Sequence, residues 1–361
     1  MSQVAASAAA PADIRSAAAR DRAVGIWLLI CAAMILVMVV LGGITRLSGS
    51  GLSIMEWNPL MGALPPMSAA EWDRVFGLYR GIAQYKHINP DMTLGGFKGI
   101  FWWEWSHRFW GRLIGIVFFV PFLFFLFKGY FGKGSRVGWP RLAAIFVLGA
   151  LQGAVGWYMV ASGFEDRDSV SQYRLVIHLL MALLIYALIL WSAFDLLDPD
   201  ALDDAQARAR RLKPHGWLLI AMIALEITLG GLVAGLHGGL IYNDFPLMNG
   251  ALIAPDVFGM APWWRSITED PGTAQFLHRC GALLVTLLVL LLAVRAAMGT
   301  LLPGRTTLLI LAVILQVTLG IATLMLVVPL PLAVSHQAGA VLLLTAALWF
   351  QHGLKRIETA V

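Results

Sequence analysis

The chain reads Trp102-Trp103-Glu104-Trp105-Ser106-His107-Arg108-Phe109-Trp110-Gly111-Arg112 where a polar, aromatic-rich segment gives way to a long apolar run. Trp, Arg and Glu collect at a membrane–water boundary because one end of each side chain favours hydrocarbon and the other favours water. The stretch therefore begins a membrane-spanning helix, with His107 near its start. Phe276-Leu277-His278-Arg279-Cys280-Gly281 opens a second apolar run in the same way, and His178 and His336 open two more.

The composition places the chain in a membrane. Apolar residues make up 59% of its 361 residues and charged residues only 13%, whereas a soluble domain is about a quarter charged. At roughly 20 residues per span, the length leaves room for about eight spans and their loops. Cys31 and Cys280 lie in apolar runs without a CxxC motif, which argues against a disulfide framework, a zinc knuckle or covalent heme attachment. We find no basic, aromatic cluster that would indicate nucleic acid binding.

Hydropathy predicts an all-α integral membrane fold with eight transmembrane helices. The predicted spans are 24–43, 103–127, 142–161, 173–194, 217–236, 274–295, 307–328 and 332–351. Four spans fall in each half, so we expect a disordered tail, an N-terminal four-helix half, a cytoplasmic linker and a C-terminal four-helix half. Their predicted limits are 1–23, 24–195, 196–216 and 217–353, with a long loop at 44–103 in the N-terminal half.

The distribution of basic residues predicts the orientation. The N-terminal tail, the loops after the second, fourth and sixth spans, and the C-terminus hold 15 of the 26 Lys and Arg residues. Positive charge marks the cytoplasmic side of a membrane protein, so we expect both termini in the cytoplasm and the two long loops outside. The four histidines then lie near the outer ends of the even-numbered spans.

The two halves resemble one another, which predicts an internal duplication. The matches are Gly42-Gly43-Ile44 with Gly230-Gly231-Leu232, His107-Arg108 with His278-Arg279, Leu151-Gln152 with Leu315-Gln316, His178 with His336, and 58–65 with 245–252. Four spans per half is an even number, so both halves insert the same way round. The predicted relation is a pseudo-two-fold axis along the membrane normal.

The four histidines are candidate metal ligands. A single imidazole in a membrane is more often an interhelical hydrogen-bond partner, but four at matched depth, two per half, favour ligation. Two imidazoles facing each other across a four-helix bundle bind a heme iron from both sides, whereas zinc prefers Cys or carboxylate company that these helices lack. The predicted porphyrin sites are His107 with His178 and His278 with His336. The other histidines, His87, His215, His237 and His352, are expected to be solvated or interfacial.

Arginines and glycines surround both predicted sites. Arg108, Arg112, Arg174 and Arg279 are placed to pair with heme propionates, and the alternative is that they reach toward lipid headgroups. Glycines at 111, 115, 149, 153 and 156 allow the close approach of helices or of a flat macrocycle, a feature that is common in membrane bundles.

Acidic residues distinguish the halves. Glu56 lies in the first long loop, with Asn243-Asp244 at the looser counterpart, and Glu104 stands one turn before the first histidine, where the second half has Gln275. A carboxylate beside a heme takes part in proton delivery or stabilises a developing cation, although an acid in an outer loop is more often merely solvated. The asymmetry suggests that one half performs chemistry and the other holds a permanent cofactor.

The first long loop also contains a predicted helix. Ser68-x-x-Glu71 has the form of a capping box, and apolar residues recur after it at helical spacing, at Trp72, Val75, Phe76, Tyr79 and Ile82. Such an amphipathic helix lies on the outer surface, where it either caps the bundle or controls access of a substrate.

The chain resembles the heme A synthase family over residues 26–353. The resemblance is carried by Gly42-Gly43-Ile44-Thr45-Arg46-Leu47-Ser48-x-Ser50-Gly51-Leu52-Ser53, by Glu56-Trp57-Asn58-Pro59, by Pro65-Pro66, by Phe97-Lys98-x-Ile100-Phe101-Trp102-Trp103-Glu104-Trp105-x-His107-Arg108, and by the other three histidines. The long first loop without cysteines resembles the proteobacterial and mitochondrial branch.

The resemblance implies an activity and a role for each site. The family oxidises the C8 methyl of heme O to a formyl group, by two successive hydroxylations and loss of water, and supplies heme A to terminal oxidases. It implies that His278 and His336 bind a resident heme b, with Arg279, Arg108 and Arg112 near the cofactors, and that His107 and His178 belong to the substrate half. Glu56 matches the acidic loop residue that the family needs for turnover.

The same resemblance sets the expected partners and location. We see no flavin or nicotinamide fingerprint, so an external donor, ferredoxin or quinol, is expected to supply electrons. Heme O synthase, membrane lipid and a second copy of the chain are the other expected partners. We expect the protein in the bacterial inner membrane, with both sites near its outer face.

Two other functions are compatible with a membrane bundle that contains histidines. A bis-histidine b-type cytochrome would pass electrons without oxidising a substrate, and its two halves should be equivalent. A heme or ion transporter should have spans that are broken near the midplane. The acidic asymmetry and the unbroken apolar runs favour the enzyme.

Overall fold

The protein is a bundle of long helices. The structure, a computed structural model, describes residues 12–57, 61–132, 135–164, 168–198 and 206–359. Within these ranges eight helices are long and apolar enough to cross a membrane, which confirms the predicted all-α integral membrane fold. They are α1 (Ala12–Leu47), α4 (Leu94–Phe127), α5 (Trp139–Ala161), α6 (Gln172–Leu197), α7 (Gln206–Gly235), α9 (Pro271–Met298), α10 (Pro303–Met325) and α11 (Leu330–Thr359).

Three short helices lie in the two long loops. They are α2 (Ala69–Arg80), α3 (Ala83–Ile88) and α8 (Ser266–Glu269). We call the end of the bundle that carries these loops the outer end and the opposite end the inner end.

The helices extend beyond the predicted spans at both ends, and residues 94–102 of the predicted loop 44–103 belong to α4. α1 begins at Ala12 and α7 at Gln206, so residues 12–23 are helical where a disordered tail was predicted, and the predicted linker is helical from 206 to 216. Ala, Arg and Leu have high helix propensity, which continues a helix beyond its apolar segment. Residues 1–11 of the tail and Asn58-Pro59 of the quoted motif lie outside the described residues.

The predicted loop helix is confirmed as α2. Ser68 accepts the backbone N–H of Glu71 at 3.2 Å, and the Glu71 carboxylate accepts the backbone N–H of Ser68 at 3.1 Å, which completes a capping box. The apolar face of α2 is buried against α4, where the rings of Phe76 and Phe97 are 5.0 Å apart. This packing favours the interpretation that α2 caps the outer end of the bundle.

The helix contacts repeat from one half to the other. α1 packs on α4 and α6, and α5 packs on α6; correspondingly, α7 packs on α9 and α11, and α10 packs on α11. Between the halves, α6 packs on α7, α11 packs on α1, and α6 meets α11. Two four-helix halves related by a pseudo-two-fold axis require this pattern, and the axis itself stays a prediction.

A buried ionic cluster joins the halves at the inner end. His352 of α11 is fully buried, with Nδ1 2.8 Å from Asp198 and Nε2 2.9 Å from Asp195. Arg141 of α5 pairs with Asp195 at 2.8 Å, and Arg305 of α10 pairs with Asp198 at 3.1 Å. The expectation that His352 is solvated or interfacial is therefore wrong, because the two carboxylates compensate the burial of its ring.

Candidate functional site

The four predicted ligands line one large cavity. Its volume is about 2220 Å³, and it extends from the N-terminal half into the C-terminal half. The ligands come from four spans: His107 from α4, His178 from α6, His278 from α9 and His336 from α11. A cavity for one drug-sized molecule is about 300–1,000 Å³, so this cavity has room for more than one large ligand.

Each imidazole lies against a glycine of the preceding span. A β-carbon at Gly320 would lie 2.8 Å from Cε1 of His336, closer than two carbon atoms approach without a shift. The four pairs are Gly42 with His107, Gly156 with His178, Gly230 with His278, and Gly320 with His336. The rings are thus packed between helices and directed into the bundle, which is the arrangement that axial ligation needs.

The C-terminal pair has the spacing of two ligands on one iron. The ring centres of His278 and His336 are 6.3 Å apart, and the ring planes are nearly perpendicular at 81°. An imidazole nitrogen bonds a transition metal at about 2 Å and the ring centre lies about 1 Å further, so rings on opposite sides of one ion have centres roughly 6 Å apart. The residues present therefore fit a heme that is bound axially by two histidines.

The histidine pairs do not belong to a larger ligand set. Within the ranges that the structure describes, no group of three or more His, Cys, Asp or Glu side chains is placed to hold a metal ion. A heme supplies four ligands from its own ring and needs only two from the protein, whereas zinc needs three or four from the protein. The porphyrin sites therefore stay a prediction that needs only two protein ligands for each iron.

A glutamine supports the second histidine of the N-terminal pair. The side-chain amide of Gln152 lies 3.1 Å from Nδ1 of His178 and donates to the carbonyl oxygen of the same residue at 2.9 Å. The same amide nitrogen is 3.5 Å from Nε2, so Gln152 lies beside both ring nitrogens of His178. The matched residue of the other half, Gln316, also lines the cavity.

Glu104 anchors the first long loop. Its buried carboxylate accepts hydrogen bonds from the Ser53 hydroxyl and the Ile54 N–H, both at 2.8 Å, and from Arg108 at 2.5 Å. These three hydrogen bonds fix the carboxylate relative to the loop residues that donate to it. Glu104 therefore fixes the loop to α4 beside His107.

Gln275 anchors the second long loop by donating hydrogen bonds to it, whereas Glu104 accepts hydrogen bonds from the first. Its side-chain amide donates to the carbonyl oxygens of Gly238 at 2.9 Å and Ile241 at 2.6 Å, while its own oxygen accepts from Arg279 at 3.0 Å. Glu104 thus stands where the loop offers N–H and O–H donors, and Gln275 stands where the loop offers carbonyl acceptors. The difference predicted to mark chemistry is here a difference in loop attachment.

The predicted propionate-binding arginines also hold the loops. Arg108 donates to two carbonyl oxygens of the first loop at 2.7 and 3.1 Å, and Arg279 donates to two of the second loop at 2.7 and 2.8 Å. Both line the cavity together with Arg112. Nε of Arg279 is buried without a hydrogen-bond partner in the described part of the chain, which leaves a donor for an anionic ligand. Arg174 donates to the Tyr158 carbonyl at 2.9 Å and does not line the cavity.

Glu56 lies at the rim of the cavity and is exposed. Its carboxylate forms a two-point ion pair with Arg74 of α2, at 2.7 and 3.1 Å. The hydrogen bond and the charge of this guanidinium hold the pKa of Glu56 below its ordinary value, so the carboxylate is ionised at neutral pH. Arg74 was not predicted as a site residue, and its position on the polar face of α2 was the only signal in the sequence.

The proposed counterpart of Glu56 has a local role. Asp244 accepts the backbone N–H groups of Asn249 at 2.9 Å and Gly250 at 3.0 Å, within its own loop. These hydrogen bonds hold the pKa of Asp244 below its ordinary value. Asp244 thus stabilises a turn, whereas Glu56 connects two elements across the cavity rim.

Glu226 of α7 is a further residue of the site that was not predicted. Its carboxylate oxygen is 2.7 Å from Nδ1 of His278, and its side chain is 14% exposed. An ionisable side chain within a spanning helix is costly and commonly functional, and that rule was the signal present in the sequence.

Two of the remaining histidines differ in their surroundings. His87 is exposed and lies 2.6 Å from Asp168, as expected for a solvated side chain. His237 is exposed at the edge of the cavity, and partial desolvation together with the charge of Arg46 lowers its pKa. His237 therefore belongs to the cavity wall.

Known proteins similar to this chain are consistent with the geometry. Residues 25–348 match the family model COX15-CtaA, described as cytochrome oxidase assembly protein. The heme A synthase of Nitrosospira multiformis is 47% identical over 93% of this chain and 94% of the relative. That of Rhodospirillum centenum is 47% identical over 96% of this chain and 91% of the relative, and that of Parvibaculum lavamentivorans is 45% identical over 94% and 96%.

Proposed function

The chain belongs to the COX15-CtaA family of cytochrome oxidase assembly proteins, and from this premise we propose that it is a heme A synthase, an enzyme that oxidises heme O to heme A. The observation that carries the proposal is the single cavity lined by four inward-facing histidines. A cavity of this size accommodates a permanent heme and a heme substrate together. A cytochrome that only passes electrons has no need of a half that is open to a substrate.

We assign the resident heme b to the C-terminal half. His278 and His336 have the ring spacing of axial ligands, and the buried Nε of Arg279 offers a donor to a propionate. When bound there, the heme supplies one-electron chemistry. The protein holds the ligands in place by packing both rings against glycines.

We assign the substrate, heme O, to the N-terminal half. β-Carbons at Gly149 and Gly153 of α5 would meet nothing within 4 Å, so this wall of the cavity has open space. Matching Gln152 to Gln316 places Val313 and Val317 at these positions in the other half. A substrate that must enter and leave needs the wider half, and a permanent cofactor is better held by branched side chains.

We infer that Glu56 acts on the substrate from the rim. Because Arg74 keeps it ionised, Glu56 accepts a proton rather than donating one. Its backbone carbonyl is held at 3.1 Å by Arg108, the residue that follows His107 in α4. This arrangement keeps the carboxylate at the mouth of the half that we assign to the substrate.

The complete reaction rests on the family resemblance. We propose that the C8 methyl of heme O is hydroxylated twice and that the product loses water to give the formyl group of heme A. An external donor, ferredoxin or quinol, supplies the electrons, and heme O synthase supplies the substrate. The eight apolar spans place the enzyme in a membrane, which we propose is the bacterial inner membrane with both sites near its outer face.

Heme extraction tests the proposed function. The chain is expressed with heme O synthase in a host that lacks its own heme A synthase, and the extracted hemes are separated and identified by mass. We expect heme A together with a hydroxylated form of heme O. Unchanged heme O in cells whose purified protein contains heme b would favour the electron-transferring cytochrome.

A further inference from the structure

Glu226 is a buried carboxylate that the proposed reaction does not use. Its Oε1 is 2.7 Å from Nδ1 of His278, and its other oxygen occupies the space that a β-carbon at Gly281 would fill. Apart from this contact, neither oxygen has a hydrogen-bond donor among the described residues. A carboxylate inside a membrane is costly unless it is paired, so its pairing with His278 needs an explanation.

The contact distinguishes His278 from the other three ligands. Matching Gly42 to Gly230 places Met38 at the position of Glu226 in the N-terminal half. Met38 lines the cavity and its methyl group packs toward Gly111, so an apolar side chain stands where His278 has a carboxylate. In the described part of the chain, no carboxylate contacts His107, His178 or His336.

The position of Glu226 determines which nitrogen of His278 faces the cavity. A carboxylate beside Nδ1 favours the tautomer with the proton on Nδ1 and leaves the lone pair of Nε2 for a metal. The ring N–H and the carboxylate are close but not collinear, so the hydrogen bond requires a rotation of the imidazole. Glu226 thus orients His278 without touching the iron.

The same contact changes the electron-donating strength of the ligand. A carboxylate that accepts the Nδ1–H makes the imidazole more basic, and its negative charge stabilises the oxidised, more positive state of the iron. Both effects lower the reduction potential of a heme that His278 binds.

We propose that Glu226 is a positioning residue that orients His278 and lowers the reduction potential of the C-terminal heme, so that this heme passes its electron to the substrate half. The inference rests on the proposed function, because it needs a heme between His278 and His336. It gives the electron flow a direction: the half with the carboxylate donates, and the half with Met38 receives.

Redox titration of the purified full chain tests the inference. Glu226→Gln keeps the shape and a hydrogen-bond acceptor but removes the charge. We expect Glu226→Gln to retain heme b and to change its oxidised-to-reduced ratio at a given potential at least tenfold toward the reduced form, about 59 mV for one electron. The matched control, Met38→Leu, should titrate like the wild type. Glu226→Gln with full heme content and an unchanged potential would overturn the inference.

A second variant decides the question if Glu226→Gln fails to retain heme. Glu226→Asp keeps the charge but withdraws it by one methylene, so the contact with His278 weakens. The reduction potential should then rise by less than about 59 mV. An unchanged potential in Glu226→Asp would then overturn the inference. Wild-type protein without heme b would instead overturn the proposed function, so the two failures are distinguishable.

Discussion

Gly149 and Gly153 face the cavity in the N-terminal half, where the C-terminal half places Val313 and Val317. The histidine framework around these residues is the same, since every ligand packs against a glycine of the preceding span. Duplication therefore preserved the positions of the ligands while the space between them diverged. Under the proposed assignment, the wall residues rather than the histidines distinguish the half that takes the substrate.

The two long loops also differ between the halves. The first long loop carries α2, whose Arg74 pairs with Glu56 at the cavity rim. In the second long loop Asp244 is used within its own turn. A connection between separate elements can be broken and remade during entry of a substrate, whereas a turn over a permanent cofactor only needs to be stable.

The largest expected effect separates the two histidine pairs. His278→Ala should lose heme b almost completely, because one axial ligand is removed from a site with two. His107→Ala should keep heme b and lose heme A formation. Heme content per purified protein and the extracted hemes are the measurements. Loss of heme b in His107→Ala, with full occupancy in His278→Ala, would reverse the assignment of the halves.

The next prediction makes the N-terminal wall like the C-terminal wall. Gly149→Val combined with Gly153→Val fills the open space beside the proposed substrate, so turnover should fall by about 100-fold, the effect of a reactant displaced by roughly 1 Å. Heme b content should not change. The control, Val147→Leu on the exposed face of the same helix, should leave turnover near the wild-type rate. Wild-type turnover in the double variant would place the substrate elsewhere.

Much of the fold follows from the sequence because membrane physics is local. A spanning helix requires a continuous apolar segment and internal backbone hydrogen bonds, so all eight spans could be predicted from hydropathy. Their inner ends could not, since helix propensity continues α1 back to Ala12 after the apolar residues end. The capping box at Ser68 and Glu71 is also a local pattern, and the structure contains it.

The site, like the fold, was predictable only where a local sequence pattern exists. Matched depth identified the four histidines, and the structure brings all of them to one cavity. The contacts between Glu56 and Arg74 and between Glu226 and His278 join residues that are distant in sequence, so no local pattern reveals them. His352 was misjudged because its position near a helix end suggested water, and only the packing of four helices buries it between two aspartates.

A smaller effect distinguishes the two loop acids. Glu56→Gln keeps the shape of the side chain but removes its charge, so turnover should fall by about tenfold, equivalent to roughly 1.4 kcal/mol in the transition state. Asp244→Asn, the matched control in the second loop, should affect turnover much less. Heme A formation under limiting time is the measurement, and heme b content checks folding. Equal effects of the two variants would remove Glu56 from the reaction.

The smallest effect concerns the pH dependence of the first loop. The pKa of Glu56 lies below its ordinary value of 4.5 because of Arg74, so the ion pair stabilises the loop above that value and this contribution is lost as the pH falls through the lowered pKa. Hydrogen exchange of the α2 amides should therefore accelerate only on acidification below 4.5. Arg74→Gln should remove that transition, because a Glu56 without the pKa shift no longer couples its protonation to the stability of the loop.

The second loop provides the control for that measurement. The pKa of Asp244 is also lowered, but by backbone N–H groups of its own turn, so Arg74→Gln should leave the acid transition of that loop unchanged. If Arg74→Gln changes the acid transitions of both long loops, the two loops unfold as one unit. The rim contact between Glu56 and Arg74 would then not distinguish the substrate half from the cofactor half.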